Sequence, residues 1–316
     1  MAVPANTIQN VGRVGTREDL DDKIAELFPD EAPFQKAIGR SKASATYTEW
    51  QTDGLAAANH DNKTIQGDDL ANEARANTTR VGTHTQIFKK VVSASTTVEA
   101  TSKAGRRSEL AREVMKSGRE MRTDKEKRFL GNYASVAATA GVAGETAGAL
   151  AWLTSNVSRG ATGANGGFSA GIVAAATNGT QRTYTETLLK TVLQSAWNAG
   201  GNPKMVITNG TQKQVESAFA GLASSRRESG NKRLTIVAGA DIYISDFGEV
   251  QFVPDRFASA RDAFVVDPEY WDIATLDPMK TMDLAVTGLA TRKALYEECA
   301  LRCLNQGASG VISDLT

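Results

Sequence analysis

The spacing of apolar positions changes repeatedly along this chain, and each change predicts a different element. Between Thr16 and Gly39, Leu20, Ile24, Leu27 and Phe28 form one helical stripe. Thr16 with Asp19 three residues on resembles an N-terminal cap, and Pro29 stops the run. Pro33 then opens a second short helix whose Phe34, Ala37 and Ile38 end at Gly39. Helix nucleation is costly and each stripe is narrow, so neither helix is stable alone and both must dock on another surface.

From Ser41 to about Lys103 the helical period vanishes. "KASATYTEW" and "THTQIFKKVVSASTTV" are β-branched and loosely alternating, and between them lies the polar, turn-rich "NHDNKTIQGDDLANEARAN". The pattern predicts a long β-ribbon with a mobile tip. A lone two-stranded ribbon is marginal in water, so this one gains stability by lying on another surface. The absence of proline between Phe34 and Asn202 suits unbroken extended and helical elements.

"SELAREVMKSGREMRTDKEKRFLGNY" is the longest helix signal. Leu110, Val114, Met121 and Phe129, with Ala111 and Met115 beside them, mark the inner stripe. Charges such as Glu113 with Lys116 and Asp124 with Arg128 mark a solvated face. Between Ala134 and Thr180 alanine and glycine dominate, which predicts flexible or loosely packed chain anchored locally by Leu150, Trp152 and Leu153. A helix follows, with Thr183 and Glu186 as a capping box, an apolar stripe of Leu188, Leu189, Val192, Leu193, Ala196 and Trp197, and a stop at Gly200-Gly201-Asn202-Pro203.

"KMVIT" then reads as a strand, and Thr211 with Gln214 as a second capping box for a helix with Val215, Ala218 and Phe219 inward. Ile242 and Ile244 alternate with Tyr243 and Ser245, Asp246 to Glu249 supplies a turn, and Val250, Phe252 and Pro254 resume a second strand. Turns are expected at Asp267-Pro268 and Asp277-Pro278. The last strand, "LYEECALRCLN", sets Leu295, Cys299, Leu301 and Cys303 on one side and Tyr296, Glu298 and Arg302 on the other.

Composition narrows the partners. The chain has 316 residues, with 36 basic and 36 acidic side chains, so no net field recruits nucleic acid; any DNA partner is loosely held. Cys299 and Cys303 would lie about 13 Å apart on a strand, too far for a disulfide, and read as small core residues in a reducing compartment. "MAVPANTIQNVGRVG" lacks a charged n-region with an apolar h-region, and no stretch approaches a membrane span, so the expectation is a soluble protein without a signal peptide.

Several short motifs mimic chemistry. Asp246-Phe247-Gly248 matches the magnesium-holding tripeptide of protein kinases, but the glycine-rich loop, strand lysine and catalytic loop are missing. Gly167-Phe168-Ser169-Ala170-Gly171 matches the serine-hydrolase pattern, yet that serine needs a strand-to-helix turn and a downstream histidine, whereas His60 and His84 both lie upstream. Asn209-Gly210-Thr211, with Lys213 nearby, reads more simply as a helix cap than as an anion cradle.

Several stretches together resemble the major capsid proteins of tailed bacteriophages with the Hong Kong-type fold. They are "GTREDLDDKIAELFPDEAPFQKAIG", "WNAGGNPKMVITNGTQKQVESAF", "DFGEVQFVPDRFASARDAFVVDPEYWDIATL" and "ALYEECALRCLNQGASGVISDL". The similarity extends over nearly all of the chain after about Gly12, apart from the Ala/Gly-rich stretch. It implies an α+β fold divided into an N-arm (1–40), an extended β-ribbon E-loop (41–85), a peripheral domain with a long spine helix (86–135 and 279–316), an Ala/Gly-rich loop segment (136–180) and an axial domain with a central sheet flanked by helices (181–278).

The implied function is geometric: hexamers and pentamers tile an icosahedral shell around double-stranded DNA, with arms and ribbons overlapping neighbouring copies. Expected contacts between copies are Leu20, Ile24, Leu27, Phe28, Phe34 and Trp50. The resemblance implies no catalytic, cofactor or metal site and no membrane partner; it implies portal, scaffold and decoration proteins as partners, and a place in the virion after synthesis in the bacterial host cytoplasm. A same-fold cellular nanocompartment shell is the near alternative. A serine hydrolase using Ser169 is the distant one.

Overall fold

A computed structural model describes residues 31–70, 72–102, 105, 107–219 and 242–316. The helix expected over Thr16–Phe28 lies outside the described residues. α1 (Pro33–Ala37) starts at the proline, whose missing N–H has no intrahelical acceptor to lose. β1 (Gly39–Lys42), β2 (Tyr47–Thr52), β3 (Thr79–His84) and β4 (Gln86–Ser95) follow, then a single turn α2 (Thr96–Ala100) and the long α3 (Glu109–Phe129). The Ala/Gly-rich stretch holds α4 (Ala149–Trp152), β5 (Val157–Ser158), β6 (Gly167–Ser169) and β7 (Ile172–Ala174). Next come α5 (Glu186–Asn198), β8 (Met205–Thr208) and α6 (Gly210–Glu216). β9 (Ile242–Ser245), β10 (Gly248–Pro254), β11 (Ala263–Val266), β12 (Trp271–Asp283), β13 (Ala290–Cys303) and β14 (Gly310–Ile312) complete the order.

Two sheets organise these elements. One is four-stranded in the order β1-β12-β13-β4, and α3 packs on its β4 and β13 strands. The other is six-stranded in the order β5-β14-β11-β8-β10-β9, with α5 against β14 and α6 against β8 and β10. Sheet membership departs from the boundary expected at 278/279. β12 begins at Trp271 and crosses that position within the four-stranded sheet, while β14 pairs with β11 in the six-stranded one. Asp277-Pro278, expected as a turn, is a register irregularity inside β12, so the strand bends without ending.

The core follows from alternation on the six-stranded sheet. Val206, Val265 and Ile312 face Leu189, Val192 and Leu193 of α5. Their neighbours Ile207, Phe264, Val266 and Val311 face the opposite way and join a second cluster that continues through Trp271, Ile273 and Leu301 to Met121 and Phe129 of α3. Both faces are therefore buried, which explains why β8 and β11 read as unbroken apolar runs. Cys299 and Cys303 are free thiols in that core.

Phe34 closes the joint between the sheets. Its ring lies edge-on to Phe264 at 5.7 Å and to Trp271 at 6.0 Å, and those two rings meet at 5.6 Å. The expectation that Phe34 contacts another copy is thereby corrected: its side chain is 0% exposed within its own subunit. α1 docks on the body that carries it.

Long-range packing also overrides local signals in α3. Met121 and Phe129 are buried and Leu110 and Val114 half-buried, but Ala111 and Met115 face solvent. Lys125 occupies the inner stripe instead, donating to Glu297 of β13 at 2.7 Å, with both side chains under one-tenth exposed. Asp124 meets Lys90 of β4 at 2.7 Å, and Arg128 turns to the carbonyls of Ala134 and Thr146 and to Glu145. The expected pairing of Asp124 with Arg128 gives way to these partners.

Two helix starts also shift. α5 begins after Thr185 with no side-chain cap, and Glu186 instead accepts from the Tyr243 hydroxyl at 2.9 Å. α6 is capped by Asn209, whose Oδ1 accepts the Thr211 N–H at 3.2 Å.

The Ala/Gly-rich stretch is tightly packed, contrary to its reading as loose chain. Asp314, fully buried, accepts the backbone N–H groups of Gly160 at 3.1 Å and Gly179 at 2.8 Å, and a guanidinium N–H of Arg261 at 3.0 Å. A Cβ on Gly160 would sit 2.0 Å from the Thr180 carbonyl oxygen, so small residues here permit close backbone approach. Leu150, Trp152 and Leu153 anchor the stretch as expected.

Removing one partner of a buried ion pair strands the other charge. Lys125→Met should lower subunit stability by about 3–5 kcal/mol, and Lys125→Met with Glu297→Leu should recover most of the loss, measured by urea denaturation of unassembled chain. Phe34→Ala should cost about 3–5 kcal/mol in the same assay, as deletion of a core ring does. A cost near zero would move Phe34 back among the subunit contacts.

Candidate assembly surfaces

The mimicked catalytic motifs are disposed as scaffold. Ser169 ends β6 at an exposed position, Ala170 and Gly171 turn with positive φ, and β7 returns antiparallel with Phe168 opposite Val173. A flat hairpin turn replaces the strand-to-helix elbow that a nucleophilic serine requires. His84 packs on the Tyr47 ring at 4.6 Å, and burial lowers its pKa. His60 is exposed. Asp246-Phe247-Gly248 turns β9 into β10, and Phe247 packs on Trp197 at 5.3 Å. Lys213 spends its ammonium on the Phe252 carbonyl at 3.1 Å and lies over the Phe252 ring at 5.2 Å, so it is not held over an anion cradle. Among the described residues no group of three or more His, Cys, Asp or Glu side chains is placed to hold a metal, and no helix is long and apolar enough to cross a membrane.

What the subunit does present is apolar surface without a cover. β2 and β3 form the expected antiparallel ribbon, from Tyr47 opposite His84 to Thr52 opposite Thr79. Its root is fastened to the body: Trp50 packs on Trp152 at 5.5 Å, and the Arg302 guanidinium lies 5.7 Å over the Trp50 ring. Beyond Thr52 the anchoring stops. Every described residue from 53 to 78 is exposed, among them Leu55 at 102%, Ile65 at 76% and Leu70 at 75% relative exposure. Hydrogen bonds there are local, such as the Asp61 N–H to Asn59 Oδ1, and its ion pairs Lys63–Asp61 and Arg75–Glu73 are internal to the loop. Large side chains left in water this way are ordinary one at a time, but three on one extended loop mark an interaction surface.

A second apolar surface lies at the distal end of the β12–β13 hairpin, where Met279, Met282, Val286 and Leu289 are exposed. β9, an edge strand of the six-stranded sheet, exposes Ile242 and Ile244. Open edges with apolar side chains invite pairing with another chain.

Of the residues expected at subunit contacts, Leu20, Ile24, Leu27 and Phe28 lie outside the described residues. Phe34 belongs to the core, and Trp50 is half-buried at the ribbon root against its own Trp152. Sequence reading missed Leu55, Ile65 and Leu70. Their signal was available: each is a lone large apolar residue in a polar, turn-rich stretch with no partner at a period of two or 3.6.

The architecture is shared with known shell proteins. The structure matches a chain of the Cyanophage A-1(L) capsid asymmetric unit with a TM-score of 0.69 at 11% identity, covering 98% of this chain and 100% of that one. It matches the SrpI encapsulin of Synechococcus elongatus PCC 7942 with a TM-score of 0.56 at 11% identity, over 94% and 92% of the two chains. In sequence, the major capsid protein of Escherichia phage Phieco32 is 25% identical over 345 aligned positions, 94% of each protein. The expected Hong Kong-type α+β fold is therefore the one observed. The family model for the SU10 major capsid protein matches residues 5–316, and this chain belongs to that family of phage major capsid proteins.

Proposed function

We propose that copies of this chain assemble as hexamers and pentamers into a closed icosahedral shell around double-stranded DNA. The observation that carries this reading is the loop 53–78, which extends from a firmly anchored ribbon and buries nothing against its own subunit. A segment that cannot recover its ordering entropy internally recovers it from a neighbour, and symmetric repetition of that contact produces a closed assembly.

In this reading the four-stranded sheet with α3 forms the peripheral domain and the six-stranded sheet with α5 and α6 the axial domain, while residues 41–85 overlap an adjacent copy. Equal numbers of acidic and basic side chains support weak contact with the packaged duplex, because few phosphate counterions would be released on binding. Portal, scaffold and decoration proteins are the further partners, and synthesis takes place in the host cytoplasm. A nanocompartment of the same fold would enclose cargo protein instead; membership of a capsid family favours DNA.

Deleting residues 54–77 should leave a folded subunit with unchanged urea stability, because the excised stretch makes no contact with the core, yet abolish closed particles in negative-stain images. Particles of normal size from the deleted chain would dismiss the loop as the organising contact. Particles recovered from infected cells should hold nuclease-protected DNA; protected protein cargo in its place would favour the nanocompartment.

A further inference from the structure

Two carboxyl groups are buried together where α1, α3 and the segment after β10 meet. Glu126 of α3 is 0% exposed and Asp255 is 3% exposed. Among the described residues neither forms an ion pair; Lys125, adjacent on α3, is committed to Glu297. Glu126 faces α1. Its Oε1 accepts the Phe34 N–H at 2.7 Å, and its Oε2 accepts the Gln35 N–H at 3.2 Å and the Gln35 Nε2–H at 2.7 Å. Those backbone groups belong to the first turn of α1, for which Ala32 offers no side-chain acceptor. Gln35 Nε2 also donates to the Arg122 carbonyl at 2.9 Å, drawing α1 against α3 a second time.

Asp255 holds the other side. Its N–H donates to the Thr208 carbonyl at 2.8 Å and its Oδ1 accepts the Phe257 N–H at 2.7 Å, which fixes it to the six-stranded sheet. Its Oδ2 is buried and receives no N–H or hydroxyl donor. The Glu126 carboxyl is its hydrogen-bonding neighbour, and Glu31 is the other charge felt at Asp255. Two carboxylates that share a dry site cannot both ionise cheaply, so one proton bridges them. Burial is the main cause, and it holds Glu126 up to about 8 and raises Asp255 as well.

We propose that Glu126 and Asp255 form a proton-dependent latch: the singly protonated pair ties α1, where residues 1–30 join the body, to α3 and the six-stranded sheet, and loss of the bridging proton releases α1. Phe34 is held by the same turn, so release would also loosen the aromatic joint it makes with Phe264 and Trp271. The latch is a property of the folded subunit and does not depend on the shell geometry proposed above.

The sign follows from linkage. In the unfolded chain both groups titrate near ordinary carboxylate values, so from about pH 5 to 8 the folded chain binds the extra proton, and the latch's contribution to stability falls as pH rises through that window. The test is hydrogen–deuterium exchange of the full-length unassembled chain, following the peptide around residues 31–38 and, as reference, one spanning β8.

After correction for intrinsic exchange, protection of the first peptide should drop about tenfold or more between about pH 6 and 9, since one unit of pKa separation is tenfold in population, while the β8 reference stays level. Glu126→Gln, whose amide can donate permanently to Asp255, should flatten that profile; Asp255→Asn should do the same and serves if the first variant does not fold. A wild-type profile that follows only intrinsic chemistry would overturn the latch, as would either folded variant retaining the full pH dependence.

Discussion

Burying both faces of the six-stranded sheet is the requirement on which the rest of this subunit depends. Side chains alternate across β8, β11 and β14, so each strand sends apolar groups in two directions and needs a cover on both sides. α5 and α6 cover one face. The other face is covered by a composite surface, in which Phe34 from α1 and Trp271 from the start of β12 meet Phe264 edge to edge. Because Trp271 also opens the long pair with β13, the same contact couples the two sheets and positions α3 above the second one. Trp271 donates its indole N–H to Ser309 at 3.0 Å, so its polar edge is satisfied as well.

Polar groups are used at the places where this core would otherwise leave freedom. Lys125 with Glu297 sets how α3 lies on β13, Asp314 gathers two loop backbones and an arginine, and Glu126 caps a helix from a distant element. Each is strongly buried and each joins segments far apart in the chain. Such groups cost desolvation, and in return they reject alternative packings that would leave them unpaired. The rigidity that results contrasts with residues 53–78, which take no part in it. A stiff body carrying an uncommitted extension suits a protein whose function is to meet copies of itself.

Much of this was legible in the sequence where the signal is local. The helical stripe of Met121 and Phe129, the strand alternation of Leu295, Cys299, Leu301 and Cys303, and the ribbon around Trp50 all depend on neighbours one to four residues away. Those neighbours appear in the sequence whatever the tertiary fold. The poverty of apolar residues in the ribbon tip likewise foretold that it would not be buried, and family resemblance named the overall fold.

The sequence by itself determined the elements, their order and the incompleteness of the loop. Tertiary structure alone decided which surfaces are already occupied. Phe34 was assigned to a neighbour because its helix is too narrow to stand alone, yet Glu126, separated from it by 92 positions, caps that helix inside the same chain. Glycines 160 and 179 suggested slack until Asp314, from the far end of the sequence, was found to bind both. β14 joins the six-stranded sheet rather than its sequence neighbour β13 for the same reason: its Val311 and Ile312 complete clusters on opposite faces. Periodicity records the face a side chain shows; which distant segment waits there depends on chain reversals that no local window contains.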